Sequence, residues 1–159
     1  MSGDLPERKH PRLKNYDYSQ NGAYFITICA FQKQKIFSSI SGDPKGEAFG
    51  TLSIFGQIAK KQVEEIQFRF PGIVVDKYVI MPNHIHLLLT VEKPEKSICE
   101  VICVFKSITA RNCRRIAPEL RVFQASFHDH IIRNESDYLR IWNYIDTNVQ
   151  RWENDCFYV

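Results

Sequence analysis

Two apolar runs separated by a short turn constrain the fold of this chain more than any other feature. Residues 73–80 and 84–91 are rich in valine, isoleucine and leucine, and Met81-Pro82-Asn83 lies between them. β-branched runs favour strands, and a Pro-Asn pair is typical of turns. The pattern predicts an antiparallel hairpin in the middle of a sheet.

Further helices and strands are predicted on both sides of this hairpin. In chain order, the patterns predict a strand at 23–31, a loop at 41–50, a helix at 51–69, the hairpin, a helix at 97–116, a strand at 122–132 and a helix at 135–152. This order is that of the split βαβ pattern. We therefore expect an α+β, ferredoxin-like fold: one antiparallel sheet with helices on one face, and an added C-terminal helix.

Length and composition favour one globular unit. The 159 residues, of which 44% are hydrophobic and 25% charged, predict a single domain over 1–159 with a polar, basic N-terminal arm at 1–20. No segment reaches the roughly 20 apolar residues that span a bilayer, so no membrane partner is expected. Five cysteines without a C-x-x-C pair favour a reduced, cytoplasmic protein.

Two histidines occupy the second strand of the hairpin. His84 and His86 flank Ile85, and alternate residues of a strand point to the same face. Two imidazoles placed in this way can converge on one divalent ion, whereas Ile85 points into the core. The alternative is that both histidines are ordinary structural residues. A second pair, His128 and His130, is a lesser metal candidate with a structural or DNA-contact alternative.

The predicted last helix carries the candidate nucleophile. On a helical wheel, Tyr144 and Asn148 fall on a polar stripe, whereas Tyr138 falls on the apolar stripe that faces the core. Tyr144 is either a surface residue with an exposed hydroxyl or a nucleophile activated by a nearby cation. In the second case the amide oxygen of Asn148 would be the third metal ligand. Tyr138 is the rival nucleophile.

Basic residues form local clusters although the net charge is only +3. Arg12 belongs to a cluster near the N-terminus, and a second cluster lies in and after the helix predicted at 97–116. Such clusters suit contacts with phosphates, or are simply solvated surface. The candidate nucleic-acid contacts are Arg12, Lys106, Arg111, Arg114, Arg115, Arg133 and Arg140.

The residues named above occur in segments that resemble a known family, the REP-associated tyrosine transposases, a branch of the single-tyrosine HUH transposases. The similar segments are residues 78–89, with His84-Ile85-His86 as the HUH motif, residues 127–138, and residues 144–148. The likeness covers nearly the whole chain. Val149 stands where the family often has proline, and Phe123-Gln124 where it often has Trp-Gln.

The resemblance implies a chemistry and a partner. It implies Mg or Mn bound by His84, His86 and Asn148, and attack by Tyr144 on hairpin-bearing single-stranded DNA to give a 5′-phosphotyrosine. It implies a bacterial, cytoplasmic enzyme that acts as a monomer or a homodimer. Two alternatives stay open: a non-catalytic module that binds hairpin nucleic acid, and a metal-dependent nuclease in which water attacks.

Overall fold

The computed structural model describes residues 21–42 and 48–158, so the predicted arm at 1–20, including Arg12, lies outside the described residues. Six strands occur in this part of the chain: β1 (Gly22–Cys29), β2 (Ser38–Ser41), β3 (Phe49–Leu52), β4 (Ile73–Ile80), β5 (His84–Val91) and β6 (His128–Ile132). The helices are α1 (Ile54–Arg69), α2 (Ile98–Arg114) and α3 (Glu135–Asp146).

The main sheet has four antiparallel strands in the order β4-β5-β1-β6. The predicted hairpin is β4 and β5, and β5 lies in the interior of the sheet. This order confirms the ferredoxin-like arrangement expected from the sequence. Because β5 pairs on both sides and is covered on both faces, seven of its eight residues are buried.

The two faces of the sheet are covered by different elements. Helices α1 and α2 pack on the face formed by Ile85, Leu87 and Leu89, in the larger apolar core. The opposite face carries Leu88, against which Ile141 and Ile145 of α3 pack. The added C-terminal helix therefore lies on the other side of the sheet from α1 and α2, on the side that receives the histidines.

The loop predicted at 41–50 is wrong at both ends. β2 and β3 form a small hairpin there, with Ser38 opposite Leu52; residues 43–47 lie outside the described residues. Each strand has only four residues, β2 is mostly serine and β3 contains Gly50, so neither shows the sustained apolar alternation by which strands are predicted. The predicted helix starts later, at Ile54, because the Ser53 hydroxyl accepts a hydrogen bond from the Gly56 amide (3.1 Å) and caps it.

The strand predicted at 122–132 is shorter than expected. Only His128–Ile132 pairs continuously with β1, and Phe123 makes an isolated bridge to Ala30. Phe123 and Phe127 lie outside the continuous strand and are buried in the larger core. Their apolar character therefore reflects packing rather than β-structure. The helix predicted at 97–116 begins as expected, at a capping box between Ser97 and Glu100.

The last helix ends six positions earlier than predicted, at Asp146 rather than residue 152. The Asn134 side chain caps its start by accepting from the Asp137 amide (2.8 Å). Turns follow Asp146, and a short 3-10 helix occupies Trp152–Asn154. Asn148 is therefore not a helical neighbour of Tyr144 but a turn residue beyond the helix. Among the described residues, no helix combines the length and apolar character needed to cross a bilayer.

Candidate metal and nucleophile site

The pairing of β1 with β5 places the two histidines on the face that α3 covers. His86 lies opposite Thr27, and His84 lies opposite Cys29. Ile85, between them, is fully buried in the core on the other face, as the alternation predicted. The ring centroids of the two histidines are 4.5 Å apart, so the imidazoles do converge.

Hydrogen bonds orient both imidazoles from behind. The Asn83 amide nitrogen donates to the Phe157 carbonyl (2.7 Å), which leaves its Oδ1 to accept from His84 Nδ1 (2.8 Å). His86 Nδ1 lies 2.8 Å from the Thr27 hydroxyl. Partners at Nδ1 leave Nε2 as the free nitrogen of each ring, which is the arrangement of metal-binding histidines.

Three buried polar atoms at this site lack a hydrogen-bond partner within the described part of the chain. They are Nε2 of His84, Nε2 of His86 and Oδ1 of Asn148. Buried polar atoms are nearly always paired, because an unsatisfied one costs about 1–3 kcal/mol. Two imidazole nitrogens and an amide oxygen are donors that suit a divalent cation, so these residues fit the metal site expected from the sequence.

Burial keeps both imidazoles in the neutral form. It lowers the pKa of His84 to about 4, although the Asp155 carboxylate opposes this shift. The pKa of His86 is well below its usual value, because of burial and then because of neighbouring His84. Both rings are therefore neutral at pH 7, which is the form that binds metal ions.

Tyr144 lies beside this cluster, on the last turn of α3. Its ring centroid is 5.4 Å from that of His86 and 6.0 Å from that of Phe25. Burial, followed by the charge of Asp155, raises the pKa of Tyr144 to about 12. The polar stripe predicted for this helix is thus not simply solvent-facing, because Tyr144 is half-buried and Asn148 is buried.

The hydroxyl of the rival tyrosine, Tyr138, has a hydrogen-bond partner away from the histidines. The Tyr138 hydroxyl donates to Asp76 Oδ2 (2.7 Å), a carboxylate on the edge strand β4. Its ring packs against the smaller core, as predicted. Trp142, on the same helix, is 37% exposed, and Lys77 lies over its ring (4.6 Å to the centroid).

The segment after α3 closes the site, and no pattern in the sequence indicates this contact. The ring of Phe157 packs against that of His84, with centroids 4.3 Å apart. The centroid of the Trp152 ring lies 6.1 Å from that of the same histidine. Asp155 enters the site from this segment: its Oδ2 accepts from Asn148 Nδ2 (2.9 Å) and lies 3.9 Å from His84 Nε2. No spacing rule singles out Asp155, because it follows irregular backbone.

The candidate DNA contacts fall into two groups. Arg111, Arg114, Arg115 and Arg133 are exposed, as phosphate contacts must be. Two others have protein partners: Lys106 Nζ donates to the Gln124 carbonyl (2.6 Å), and Arg140 pairs with Asp137 (2.6 Å). Asp137 also pairs with His130 (2.6 Å).

Within the described residues, the one cluster with three potential metal ligands is His84, His86 and Asp155, so the His128-Asp129-His130 candidate gains no support.

Comparisons with known proteins agree with this fold. Residues 53–148 match the family described as "Transposase IS200 like". An uncharacterized protein of Haemophilus influenzae is 31% identical over 176 aligned positions, which cover 98% of this chain and 95% of that protein.

Two solved structures share the fold. The structure of a REP-associated tyrosine transposase bound to a REP hairpin has a TM-score of 0.63 at 18% identity, over 86% of this chain and 72% of the other. A candidate transposase from Deinococcus radiodurans R1 has a TM-score of 0.53 at 15% identity, over 85% and 95% of the two chains.

The described residues thus combine a ferredoxin-like sheet with a buried histidine pair under a tyrosine-bearing helix. The chain belongs to the IS200-like transposase family, as its match over residues 53–148 shows. The resemblance inferred from the histidine and tyrosine segments is thus confirmed at the level of this family.

Proposed function

We propose that this transposase cuts and rejoins single-stranded DNA through Tyr144, with Mg or Mn held by His84, His86 and Asn148. One observation carries the proposal: three buried, unpartnered polar atoms of those residues cluster where the Tyr144 ring lies 5.4 Å from His86. A structural histidine pair would instead have its nitrogens satisfied by the protein.

Each residue of the site has a distinct role in this proposal. Thr27 and Asn83 hold the rings of His86 and His84 so that Nε2 faces the site. When bound, the cation would polarise the scissile phosphate and favour loss of the phenol proton. Helix α3 positions the Tyr144 oxygen, and the half-buried setting limits the access of competing water.

The reaction is a transfer between two oxygen atoms on phosphorus. The Tyr144 oxygen loses its proton and forms a bond to phosphorus, and the bond from phosphorus to the 3′ oxygen breaks. The 3′ oxygen takes up a proton and becomes a free hydroxyl, while the 5′ phosphate stays on the tyrosine. Attack by a 3′-hydroxyl reverses these steps and rejoins a strand without ATP, because the phosphotyrosine keeps the energy of the broken bond.

The DNA partner is proposed to be single-stranded and to carry hairpins. A structural neighbour, the REP-associated tyrosine transposase, is bound to a REP hairpin. Arg111, Arg114 and Arg115 are grouped in and just after the last turn of α2, where exposed guanidinium groups suit phosphates. We assign Arg12, Lys106, Arg133 and Arg140 to further contacts with the DNA backbone.

The test is to incubate the purified chain with hairpin-bearing single-stranded DNA and Mn²⁺ and to separate the products on a denaturing gel. A covalent protein–DNA band that depends on Mn²⁺ and disappears in Tyr144→Phe is the expected result. Cleavage without a covalent band would instead identify water as the nucleophile. Binding without cleavage would support the non-catalytic hairpin-binding module.

Tyr138→Phe is the matched control. It makes the same change, loss of one hydroxyl, on the same helix, but that hydroxyl is bonded to Asp76 (2.7 Å). The control should form the covalent band as the wild type does. Loss of the band in Tyr138→Phe but not in Tyr144→Phe would overturn the assignment of the nucleophile.

A further inference from the structure

We propose that Asp155 is an additional metal ligand, and that it makes the segment 152–158 part of the metal centre. The inference rests on the proposed metal site at His84, His86 and Asn148, and it extends that site by one carboxylate. Asp155 is supplied from beyond the tyrosine helix, so the segment would be held closed by the same ion that the histidines bind.

The first argument is distance. Ligand atoms of His84, His86 and Asp155 all lie within 4.8 Å of one another. Two ligands on one Mg²⁺ or Zn²⁺ ion are separated by at most about 4.2 Å, twice a bond of about 2.1 Å, so an approach of about 0.6 Å brings the most distant pair within this limit. The contact between His84 Nε2 and Asp155 Oδ2, at 3.9 Å, is too long for a hydrogen bond but falls within this limit.

The second argument is burial of charge. The Asp155 side chain is only 1% exposed, and in the part of the chain that the structure describes no lysine or arginine forms a salt bridge with it. Its oxygens accept hydrogen bonds from Asn148 Nδ2 and from the Phe157 amide (both 2.9 Å), and the Tyr144 hydroxyl and the Cys156 thiol also lie within reach of this carboxylate. None of these partners carries a positive charge, and a buried carboxylate without a cation beside it is costly.

The third argument is chemical complementarity. Mg²⁺ and Mn²⁺ prefer oxygen ligands, and two imidazoles with one amide oxygen supply one oxygen and no negative charge. A carboxylate adds both the preferred atom and a negative charge. Asp155 Oδ2 also accepts a hydrogen bond from Asn148 Nδ2, so the same carboxylate fixes the side chain whose Oδ1 is the proposed amide ligand.

The experiment measures Mn²⁺ affinity of the full chain by calorimetry, without DNA. Asp155→Asn keeps an oxygen that can accept from Asn148 but removes the charge, and it should weaken Mn²⁺ binding by about tenfold or more. Glu153→Gln makes the equivalent change at an exposed position of the same segment and should bind as the wild type does. Asp155→Ala should bind no better than Asp155→Asn.

Unfolding curves without metal ensure that the comparison concerns folded protein. Limited trypsin digestion then provides a second readout, since Arg151 is exposed and immediately precedes the segment. Saturating Mn²⁺ should slow cleavage after Arg151 in the wild type but not in Asp155→Asn. Cleavage after the exposed Arg115 should not respond to metal and provides the internal reference.

Unchanged Mn²⁺ affinity in Asp155→Asn, together with weak binding by Asp155→Ala, would overturn the proposal and leave Asp155 as a positioning residue for Asn148. Unchanged affinity with a higher yield of covalent band would also overturn it, because the segment would then merely cover the site. Affinity that depends on Asp155, in a chain that forms no covalent band, would support the ligand and count against the proposed strand transfer.

Discussion

The ring of Tyr144 meets the ring of His86 edge to face, with centroids 5.4 Å apart and planes inclined by 62°. One residue lies on a helix and the other on an inner strand of the sheet, and they meet because α3 packs on the face that β5 presents. The contact brings the candidate nucleophile beside the candidate metal ligands, and it is the relationship on which the proposed chemistry depends.

Removal of the Tyr144 hydroxyl should abolish chemistry without loss of stability. We expect Tyr144→Phe to lower covalent-band formation by about 10³-fold or more, because no other group replaces the nucleophile. Hairpin binding should persist, since the ring contacts remain. Gel shift, denaturing gel and thermal unfolding on one preparation measure these effects. A variant that lost DNA binding in parallel would point to a folding defect instead.

Thr27 should affect the affinity for the metal ion although its side chain does not contact the ion. Its hydroxyl lies 2.8 Å from His86 Nδ1, so Thr27→Val removes the partner that orients the ring. We expect Mn²⁺ affinity to fall by about 10–100-fold, as it does for other groups behind a metal-binding histidine. Thr90→Val, on β5 but with its hydroxyl bonded to Asp76, is the control and should bind normally. Equal Mn²⁺ affinities in Thr27→Val and Thr90→Val would mean that the Thr27 hydroxyl is not needed to orient the His86 ring.

The packing of α3 should be the sensitive point for stability on the site face. Ile145 is 2% exposed and packs against Leu88 in the smaller core. Ile145→Ala should lower the free energy of unfolding by about 2–5 kcal/mol. Leu139→Ala, at a position of the same helix that is 56% exposed, should change it by no more than about 0.5 kcal/mol. Denaturant unfolding of both variants checks this, and similar values would show that α3 is only loosely attached.

The arginines at the end of α2 should contribute to DNA affinity through salt-sensitive contacts. Replacement of Arg114 by glutamine should weaken binding for all sequences and reduce the slope of log affinity against log salt by about 1. Arg115→Gln should act similarly. Lys60→Gln, an exposed position on α1 whose side chain is 50% exposed, should leave the slope unchanged. A normal slope in both arginine variants would remove this surface from the DNA interface.

Much of the architecture followed from short-range patterns. The hairpin at 73–80 and 84–91 was predicted with its observed bounds because both runs are apolar and a Pro-Asn turn separates them. That the side chains of His84 and His86 share one face of the sheet followed from strand alternation, which is a local property of the backbone. Two helix ends differ from the predicted ones, because capping and tertiary packing decide where α1 begins and where α3 ends.

Sequence alone thus determined the sheet, the shared face of the two histidines and the family resemblance, because periodicity and motif spacing act over a few residues. Only the tertiary structure decided that α3 crosses to the histidine face, that Asn148 leaves the helix, and that Asp155 and Phe157 close over His84. These contacts join positions far apart in the chain through irregular backbone. No local pattern encodes such contacts, and the requirement to bury and pair these groups selects them.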